Sequence, residues 1–429
     1  MFGKVNFKNK KILIYGLGLS GNSCYKYLSS KNKISIFDDN YLLKNSKNRS
    51  YFLNKNKILK LKFDFIIVSP GIDIKKCKLK YYLSKNINKI ITELDVFYLN
   101  FPNNIKVTIT GTNGKSTTCQ MLKEIFKSNN SDVRLVGNIG NPPLSEKKIL
   151  QKTIFIIEAS SYQINYSQYF KTDYAAILNL NADHLERHGN LTEYAKAKLK
   201  LIYNQDKNKV SYIEKNNSVI NKNIKKNKIK SNLIKLPYNK LDFFKSRIKN
   251  IYLHDQNNLR NIHFVYKICK NFEISDDKIF KSLNNFKGLK FRKQIIYNRN
   301  NLKIINDSKS TSFSSTIGIL SSYKNIYWIV GGLFKKWDNF NIHKKYYKNI
   351  SAYIIGKNKN FFENQFKNKI KFLYIKDLKH AILKIKKEFK YDKKNKIILF
   401  SPSAASFDQF KNFEERGKYF NKLVKKLIL

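Results

Sequence analysis

Residues 106–118 read KVTITGTNGKSTT, and the reading of this stretch decides the fold. Val107 and Ile109 mark a short buried β-strand, and a glycine turn follows it. Beyond the turn, Met121, Leu122, Ile125 and Phe126 recur at the spacing of an amphipathic helix. Strand, glycine turn and helix in that order are the layout of a phosphate-binding loop. Gly111 and Gly114 permit backbone angles and a close approach that side chains would block. The loop amides and the helix N-terminus then face an anion. Lys115 adds a mobile positive charge, and the Ser116 hydroxyl can ligate Mg2+. The spacing is shortened. Thr112 and Asn113 alone separate Gly111 from Gly114, where the common loop has about four residues.

Around this stretch, 429 residues with 42% hydrophobic content suit a soluble globular chain of about two to four domains. No apolar run reaches the length of a membrane span. The opening MFGKVNFKNKK is basic but lacks an apolar core and a small-residue cleavage site, so no signal peptide is expected. Cys24, Cys77, Cys119 and Cys269 are scattered, which predicts a reducing compartment without disulfides or structural zinc. The net charge of +54 is carried mostly by lysine, runs through the whole chain and travels with Asn, Ile, Tyr and Phe. That is the composition of A/T-rich codons, whereas base readers concentrate Arg for bidentate contacts. No specific nucleic-acid partner is expected. Weak, salt-sensitive binding to nucleic acid is, and the positive field would gather anionic substrates.

Taken in order, Lys11–Tyr15 is a buried strand leading into Gly16-Leu-Gly18-Leu-Ser-Gly21, with a helix expected from about Asn22 to Ser30. The strand Ile34–Phe37 ends in Asp38-Asp39. This is a full G-x-G-x-x-G fingerprint with an acidic residue at the expected distance. Alone it reports a nucleotide or phosphate at a helix N-terminus, and an NAD-dependent oxidoreductase is one way to read it. Phe63–Val68 is a further strand, closed by Ser69-Pro70-Gly71-Ile72. Thr153–Ile157 is a strand with Glu158 at its end, followed by Ala-Ser-Ser-Tyr-Gln163. Tyr174–Asn179 runs to Asn181-Ala-Asp183-His184-Leu-Glu186-Arg187-His188-Gly189. Acidic and histidine side chains at successive strand ends beside a phosphate loop can converge on metal ions. Residues 207–235 are rich in Lys and Asn and read as solvated surface with short strands or loops. The remainder alternates again: Lys303–Ile305, Ile326–Val330, Ala352–Ile355, Phe372–Ile375 and Ile397–Phe400 read as strands separated by helices, hence a largely parallel sheet. The fold class is therefore α/β in three domains. Residues 1–100 read as a Rossmann-like domain, 101–291 as a central ATPase-type domain and 292–429 as a second Rossmann-like domain.

These motifs together resemble the Mur ligases, ATP-dependent amide ligases of bacterial peptidoglycan synthesis. GTNGKST with its shortened spacing, GNIG at 137–140, EASSYQ at 158–163 and DHLERHG at 183–189 match motifs of that family. The resemblance covers nearly the whole chain. GLGLSG and SPGI near the start, with SPSAASFDQFKNFEERG at 401–417, resemble the branch that adds D-glutamate to UDP-N-acetylmuramoyl-L-alanine. A family member with a different amino-acid specificity is the nearest alternative. An oxidoreductase would leave Gly111–Thr117, Glu158 and His184 unexplained.

The chemistry of amide synthesis fits independently. A carboxylate needs a leaving group, ATP can supply one as an acyl phosphate, and an amine then attacks it. Such an enzyme mostly aligns groups and neutralises charge. The resemblance implies that ATP is held by Gly111, Thr112, Asn113, Gly114, Lys115, Ser116 and Thr117, with Asn258, Asn261, Arg292 and Asp307. It implies two Mg2+ sites drawing on Ser116, Glu158, His184 and Lys198, the last as a CO2-derived carbamate. Lys196 and Lys200 are competing positions for that modification. Lys115, Lys198 and His184 would be catalytic. The UDP-substrate would contact Leu19, Ser20, Asp38, Ser69, Gly71, Asn138 and Gln163. D-glutamate would meet Lys309, Thr311, Lys335 (or Lys336), Ser406 and Phe413. A cytoplasmic monomer without membrane insertion is implied as well. Asn257 stands where the family has His, and Lys290-Phe291 where it has Pro-His, which bears on the nucleotide contacts.

Overall fold

The computed structural model describes residues 6–40, 48–224, 228–237, 241–335, 338–389 and 395–429. Among the described residues sixteen strands form three sheets. The first contains β1 (Lys11–Tyr15), β2 (Lys33–Phe37), β3 (Phe65–Val68) and β4 (Ile90–Ile91) in the order β2-β1-β3-β4, all parallel. The second contains β5 (Lys106–Thr110), β6 (Val133–Gly137), β7 (Ile154–Glu158), β8 (Tyr174–Ile177), β9 (Val210–Glu214) and β10 (Asn232–Leu236). Its order is β10-β9-β8-β5-β7-β6, again all parallel. The third contains β11 (Gln294–Arg299), β12 (Leu302–Asn306), β13 (Ile326–Val330), β14 (Ile350–Ile354), β15 (Lys371–Tyr374) and β16 (Lys396–Phe400), in the order β11-β12-β16-β13-β14-β15. There β11 pairs antiparallel with β12, and the other described pairings are parallel. The central strands β5, β7 and β16 are short runs buried along their whole length, which is what parallel sheets covered by helices require, whereas the edge strands β10, β11 and β15 are largely exposed.

The chain divides into two compact units, Met1–Arg247 with Arg260–Asn284, and Ile248–Leu259 with Asn285–Leu429. The first two sheets share one unit because one apolar cluster runs through both. Ile12 and Ile14 of β1 and Phe155 and Ile157 of β7 belong to it, and the Phe97 ring meets Phe155 edge-on at 4.7 Å. Asp95, fully buried, adds polar bonds. Its Oδ1 accepts from Ser167 Oγ and from the amides of Gln168, Tyr169 and Phe170 at 2.7–2.9 Å.

Within the second sheet β5 lies between β8 and β7. The chain crosses from β7 to the far side of β5, so the C-terminal end of β5 is a switch point, where open α/β sheets take their ligands. The helix Lys115–Ser128 follows directly and buries Met121, Leu122, Ile125 and Phe126. Each such side chain contributes about 1.5–3 kcal/mol of burial, so the base of the loop is firmly seated.

Two sequence expectations need correction. The first helix spans Leu19–Leu28, not Asn22–Ser30, and Gly21 lies inside it. A Cβ on Gly21 would come within 1.8 Å of the Gly16 carbonyl oxygen, so close packing of helix on loop fixes that glycine. Residues 207–235 are not merely solvated surface. They supply the expected short strands as β9 and β10, with a helix at Ser218–Ile224 between them, and Ser211, Tyr212 and Ile213 are fully buried; the flanking lysines mask the burial of a strand only five residues long. The third sheet is largely parallel as expected, and its antiparallel edge strand β11 carries no sequence signal of its own because the Asn300-Asn301 turn before β12 has no glycine.

Candidate active site

The loop after β5 uses both glycines. Gly111 has φ of +147° and Gly114 +87°, and a Cβ on Gly114 would lie 2.4 Å from Asn261 Oδ1. Side chains at the end of β8 fix the loop's shape. The Thr112 amide donates to the Asn179 carbonyl at 2.9 Å, and the Asn113 amide to Asn179 Oδ1 at 2.9 Å. Asn179 Nδ2 returns a bond to the Asn113 carbonyl at 3.1 Å. The Thr112 hydroxyl meets the Asn181 amide at 3.0 Å and the Tyr194 hydroxyl at 3.1 Å. Sequence reasoning did not single out Asn179. Its signal is a polar residue at a strand end facing a glycine loop.

Cations and oxygen donors converge on this loop. Lys115 Nζ donates to the carbonyls of Gly111 and Thr112 at 2.7 and 2.8 Å. Ser116 Oγ donates to Glu158 Oε2 at 2.5 Å, and Asn138 Nδ2 donates to Glu158 Oε1 at 2.7 Å. Glu158, 1% exposed, is thus held at both oxygens, one by the phosphate-loop serine and one by the turn after β6. Asn138, expected at the UDP-substrate, is found orienting this carboxylate.

Lys198 lies on the helix Leu191–Tyr203, 2% exposed. Its Nζ donates to the Gly111 carbonyl at 3.0 Å and Thr110 Oγ1 at 3.2 Å, over the Tyr194 ring. Burial, joined by the Lys115 charge, holds its pKa well below the ordinary lysine range, against the opposing pull of Asp183 and Glu158. Lys196 instead pairs with Glu193 in solvent and Lys200 donates to the Asn165 carbonyl. Of these three lysines, Lys198 alone bonds the phosphate loop.

His184 takes a left-handed backbone, φ +56°, at the start of the turn Leu185–His188. Its ring nitrogens lie 3.4 Å from Asp183 and 3.6 Å from Glu186. His188 Nε2 meets Ser161 Oγ at 3.0 Å. Burial and the neighbouring His184 push its pKa down to about 4, so it is neutral at pH 7. Among the described residues no three His, Cys, Asp or Glu side chains form a metal cluster. The donors present, a carboxylate and a hydroxyl at a phosphate loop, are hard oxygens that suit Mg2+, which keeps several waters and takes phosphate oxygens as further ligands.

The first sheet presents its glycine loop at the C-terminal end of β1. Asp38 accepts from the Leu17 amide at 2.6 Å and the Asn40 amide at 2.7 Å. Ser69 Oγ donates to the Gly16 carbonyl at 2.7 Å, which ties Ser69–Ile72 to the loop. Leu19 is 82% exposed, with Ser20 beside it half-buried and Gly71 exposed. Gln163 Oε1 accepts from the Ser160 amide at 2.9 Å and so closes a capping box on the helix Ser161–Tyr166.

In the second unit, buried Asp307 accepts from the Lys293 amide at 3.0 Å and from Ser401 Oγ at 2.8 Å. Burial raises its pKa to about 6 despite the nearby Lys293 cation. Arg292 precedes Lys293, and its carbonyl accepts from the Tyr252 hydroxyl at 3.0 Å. Asn258 Nδ2 donates to the Tyr252 carbonyl and to Asp255. Lys309 Nζ lies 3.9 Å above the Phe413 ring, and Thr311 follows two residues later in the chain. Leu333 bridges Ala405, which brings the stretch ending at Lys335 alongside Ser406. Lys336 lies outside the described residues. Arg416, to which the sequence assigns no role within the 401–417 stretch, is buried and donates to the carbonyls of Ser308 and Ala404 at 2.7 and 3.0 Å. It joins the loops that carry Lys309 and Ser406.

A family model described as the Mur ligase middle domain matches residues 109–275. The chain is 32% identical to the UDP-N-acetylmuramoylalanine–D-glutamate ligase of Rickettsia prowazekii, covering 98% of this chain and 99% of the relative. It is 35% identical to that of Buchnera aphidicola, over the same shares of each. Among solved structures, the UDP-N-acetylmuramate-alanine ligase of Thermotoga maritima aligns over 97% of this chain and 100% of its own, with a TM-score of 0.57 at 14% identity. MurF of Acinetobacter baumannii aligns over 86% and 87%, with a TM-score of 0.59 at 14% identity.

Proposed function

The chain belongs to the Mur ligase family, and from that premise we propose that it joins D-glutamate to UDP-N-acetylmuramoyl-L-alanine, splitting ATP to ADP and phosphate in peptidoglycan synthesis. The observation that carries the reading is the linked set of phosphate loop, Ser116, Glu158 and Asn138, with Lys198 buried on the same loop carbonyl as Lys115.

In this reading residues 101–291 bind ATP, 1–100 the UDP portion and 292–429 the amino acid. The substrate's L-alanyl carboxylate attacks the γ-phosphorus and ADP leaves. The D-glutamate amine then attacks the acyl phosphate, a proton is lost, and phosphate departs from the tetrahedral intermediate. Lys115 and the loop amides neutralise charge on the transferring phosphoryl group. Ser116 and Glu158 would hold one Mg2+, and His184 with Lys198 a second; when bound, such ions neutralise phosphate charge and align the reacting oxygens. Lys198 as a neutral amine can take up CO2, and the resulting carbamate is an anion where an ammonium would repel a cation. Arg292, Asp307, Asn258 and Asn261 are assigned to the nucleotide. Leu19, Ser20, Asp38, Ser69, Gly71, Asn138 and Gln163 are assigned to the UDP-substrate, and Lys309, Thr311, Lys335, Ser406 and Phe413 to D-glutamate, whose two carboxylates call for a cation and hydroxyls. Among the described residues no helix is long and apolar enough to cross a membrane; a cytoplasmic monomer belongs to the same proposed reading.

Phosphate release from ATP and Mg2+ tests this, with UDP-N-acetylmuramoyl-L-alanine and, in parallel, D-glutamate, L-glutamate, L-alanine and a diamino acid. Release dependent on D-glutamate alone is expected. Dependence on another amino acid would move the specificity within the family. No release from folded, ATP-binding protein would overturn the reading.

A further inference from the structure

Arg187 lies three residues after His184, and its guanidinium faces the first sheet's Ser69–Ile72 turn. Nη2 donates to the Pro70 carbonyl at 3.3 Å and to the Ile72 carbonyl, and Nη1 donates to the Gly71 carbonyl at 3.4 Å. Nε lies 3.8 Å from Asp73. The guanidinium also stacks over the Tyr162 ring at 4.8 Å, and Tyr162 in turn packs against the rings of His184 and His188. The side chain is only 12% exposed. One rigid fork therefore gathers three successive carbonyls of one turn, a geometry that a lysine cannot reproduce. The same turn reaches the glycine loop through the Ser69–Gly16 bond.

We propose that Arg187 is a positioning residue for the anionic UDP-substrate, locking the Ser69–Ile72 turn to the segment that carries His184. This rests on the function proposed above. Carbonyl oxygens left facing a diphosphate would repel it. Arg187 turns three of them onto a cation and brings a positive charge to the turn, which favours a bound anion. The same lock sets the distance between the end of the substrate held at the glycine loop and the end that reacts at the phosphate loop.

The test is steady-state kinetics of Arg187→Ala against the wild type, varying UDP-N-acetylmuramoyl-L-alanine and ATP separately, with melting curves alongside. The expected result is a KM for the UDP-substrate raised about 10- to 100-fold, the worth of one charge-assisted hydrogen-bonding group, and a KM for ATP within about twofold of wild type. A purely structural role would lower the melting temperature and the active fraction while leaving both KM values alone, and that outcome would overturn the proposal. Should Arg187→Ala fail to fold, Arg187→Lys keeps the charge and most of the packing but loses the fork. It should still raise the UDP-substrate KM several-fold, and an unchanged KM in that variant would equally overturn the proposal. A wild-type protein without D-glutamate-dependent turnover would instead overturn the underlying functional reading.

Discussion

Replacing Glu158 by glutamine separates what this side chain does for the fold from what it does for the reaction. The carboxylate is buried and accepts from Ser116 Oγ and Asn138 Nδ2. In Glu158→Gln the amide oxygen can keep the Asn138 bond, while the amide NH2 donates to the Ser116 hydroxyl, which can also accept. Two bonds to a charged acceptor become neutral ones, each falling from about 1.5–3 to about 0.5–1.5 kcal/mol, a loss of about 2–3 kcal/mol in total. Against this, the variant no longer buries a carboxylate, whose desolvation costs several kcal/mol. The two terms nearly cancel, so the melting temperature should move by no more than about 4 °C, the shift expected for about 1 kcal/mol in a unit of this size. Activity has no such compensation. An amide oxygen is a poor ligand for Mg2+ beside a polyphosphate, and loss of one such electrostatic partner costs on the order of 10²–10³ in kcat. The assay is D-glutamate-dependent phosphate release over a Mg2+ titration, with calorimetry on the same preparation. A variant with wild-type turnover and unchanged Mg2+ dependence would refute the metal role. A variant that unfolds would refute the energetic argument.

Three further outcomes follow from the geometry. Glu93 is buried, bonded to Ser23 Oγ at 2.8 Å, and burial raises its pKa to about 7. A raised carboxyl contributes stability that is full below its unfolded value of 4.5 and lost as pH climbs through 7. Glu93→Gln should therefore be the more stable protein at pH 8, by up to about 3 kcal/mol, and match the wild type below pH 4.5; melting curves across pH that show a constant difference would contradict this. Gly114→Ala puts a Cβ into a left-handed position and against Asn261. It should cost about 1–2 kcal/mol of backbone strain and weaken ADP binding, both read by calorimetry, and wild-type values for both would count against a preshaped loop. Lys198→Ala should lower turnover by at least about 10²-fold while Lys196→Ala stays within about twofold, and equal losses in the two would remove the distinction drawn from burial.

The parts of this molecule that the sequence makes legible are those written in local chemistry. The β5 loop could be read because strand, glycines, lysine, hydroxyl and helix all fall within a dozen residues, each with its own physical requirement. The three α/β segments could be read because short apolar runs end in glycine or polar turns. The burial of β9 stayed hidden because Lys207, Lys209 and Lys215 flank a five-residue strand in a chain where lysine is everywhere. Arg187 was legible only as a letter in DHLERHG, since its partners at Pro70–Ile72 lie about 115 residues away and long-range pairing leaves no trace in periodicity. Asn138 and Gln163 carry protein contacts that no motif announces. Assigned to the UDP-substrate, they are also held within the protein, one on Glu158 and one in a helix cap, and such pairings depend on residues far apart or on cap geometry.

The tether between Asn179 and the Gly111–Gly114 loop has a kinetic meaning. A slack loop closing around a nucleotide would have to freeze four residues on arrival, at about 1–2 kcal/mol each. Here that ordering is already complete when the chain folds. The loop behaves as a die, not a glove: a triphosphate either matches it at first contact or leaves. Discrimination between nucleotides should then be written in how fast the wrong ones escape, with arrival rates much the same for all.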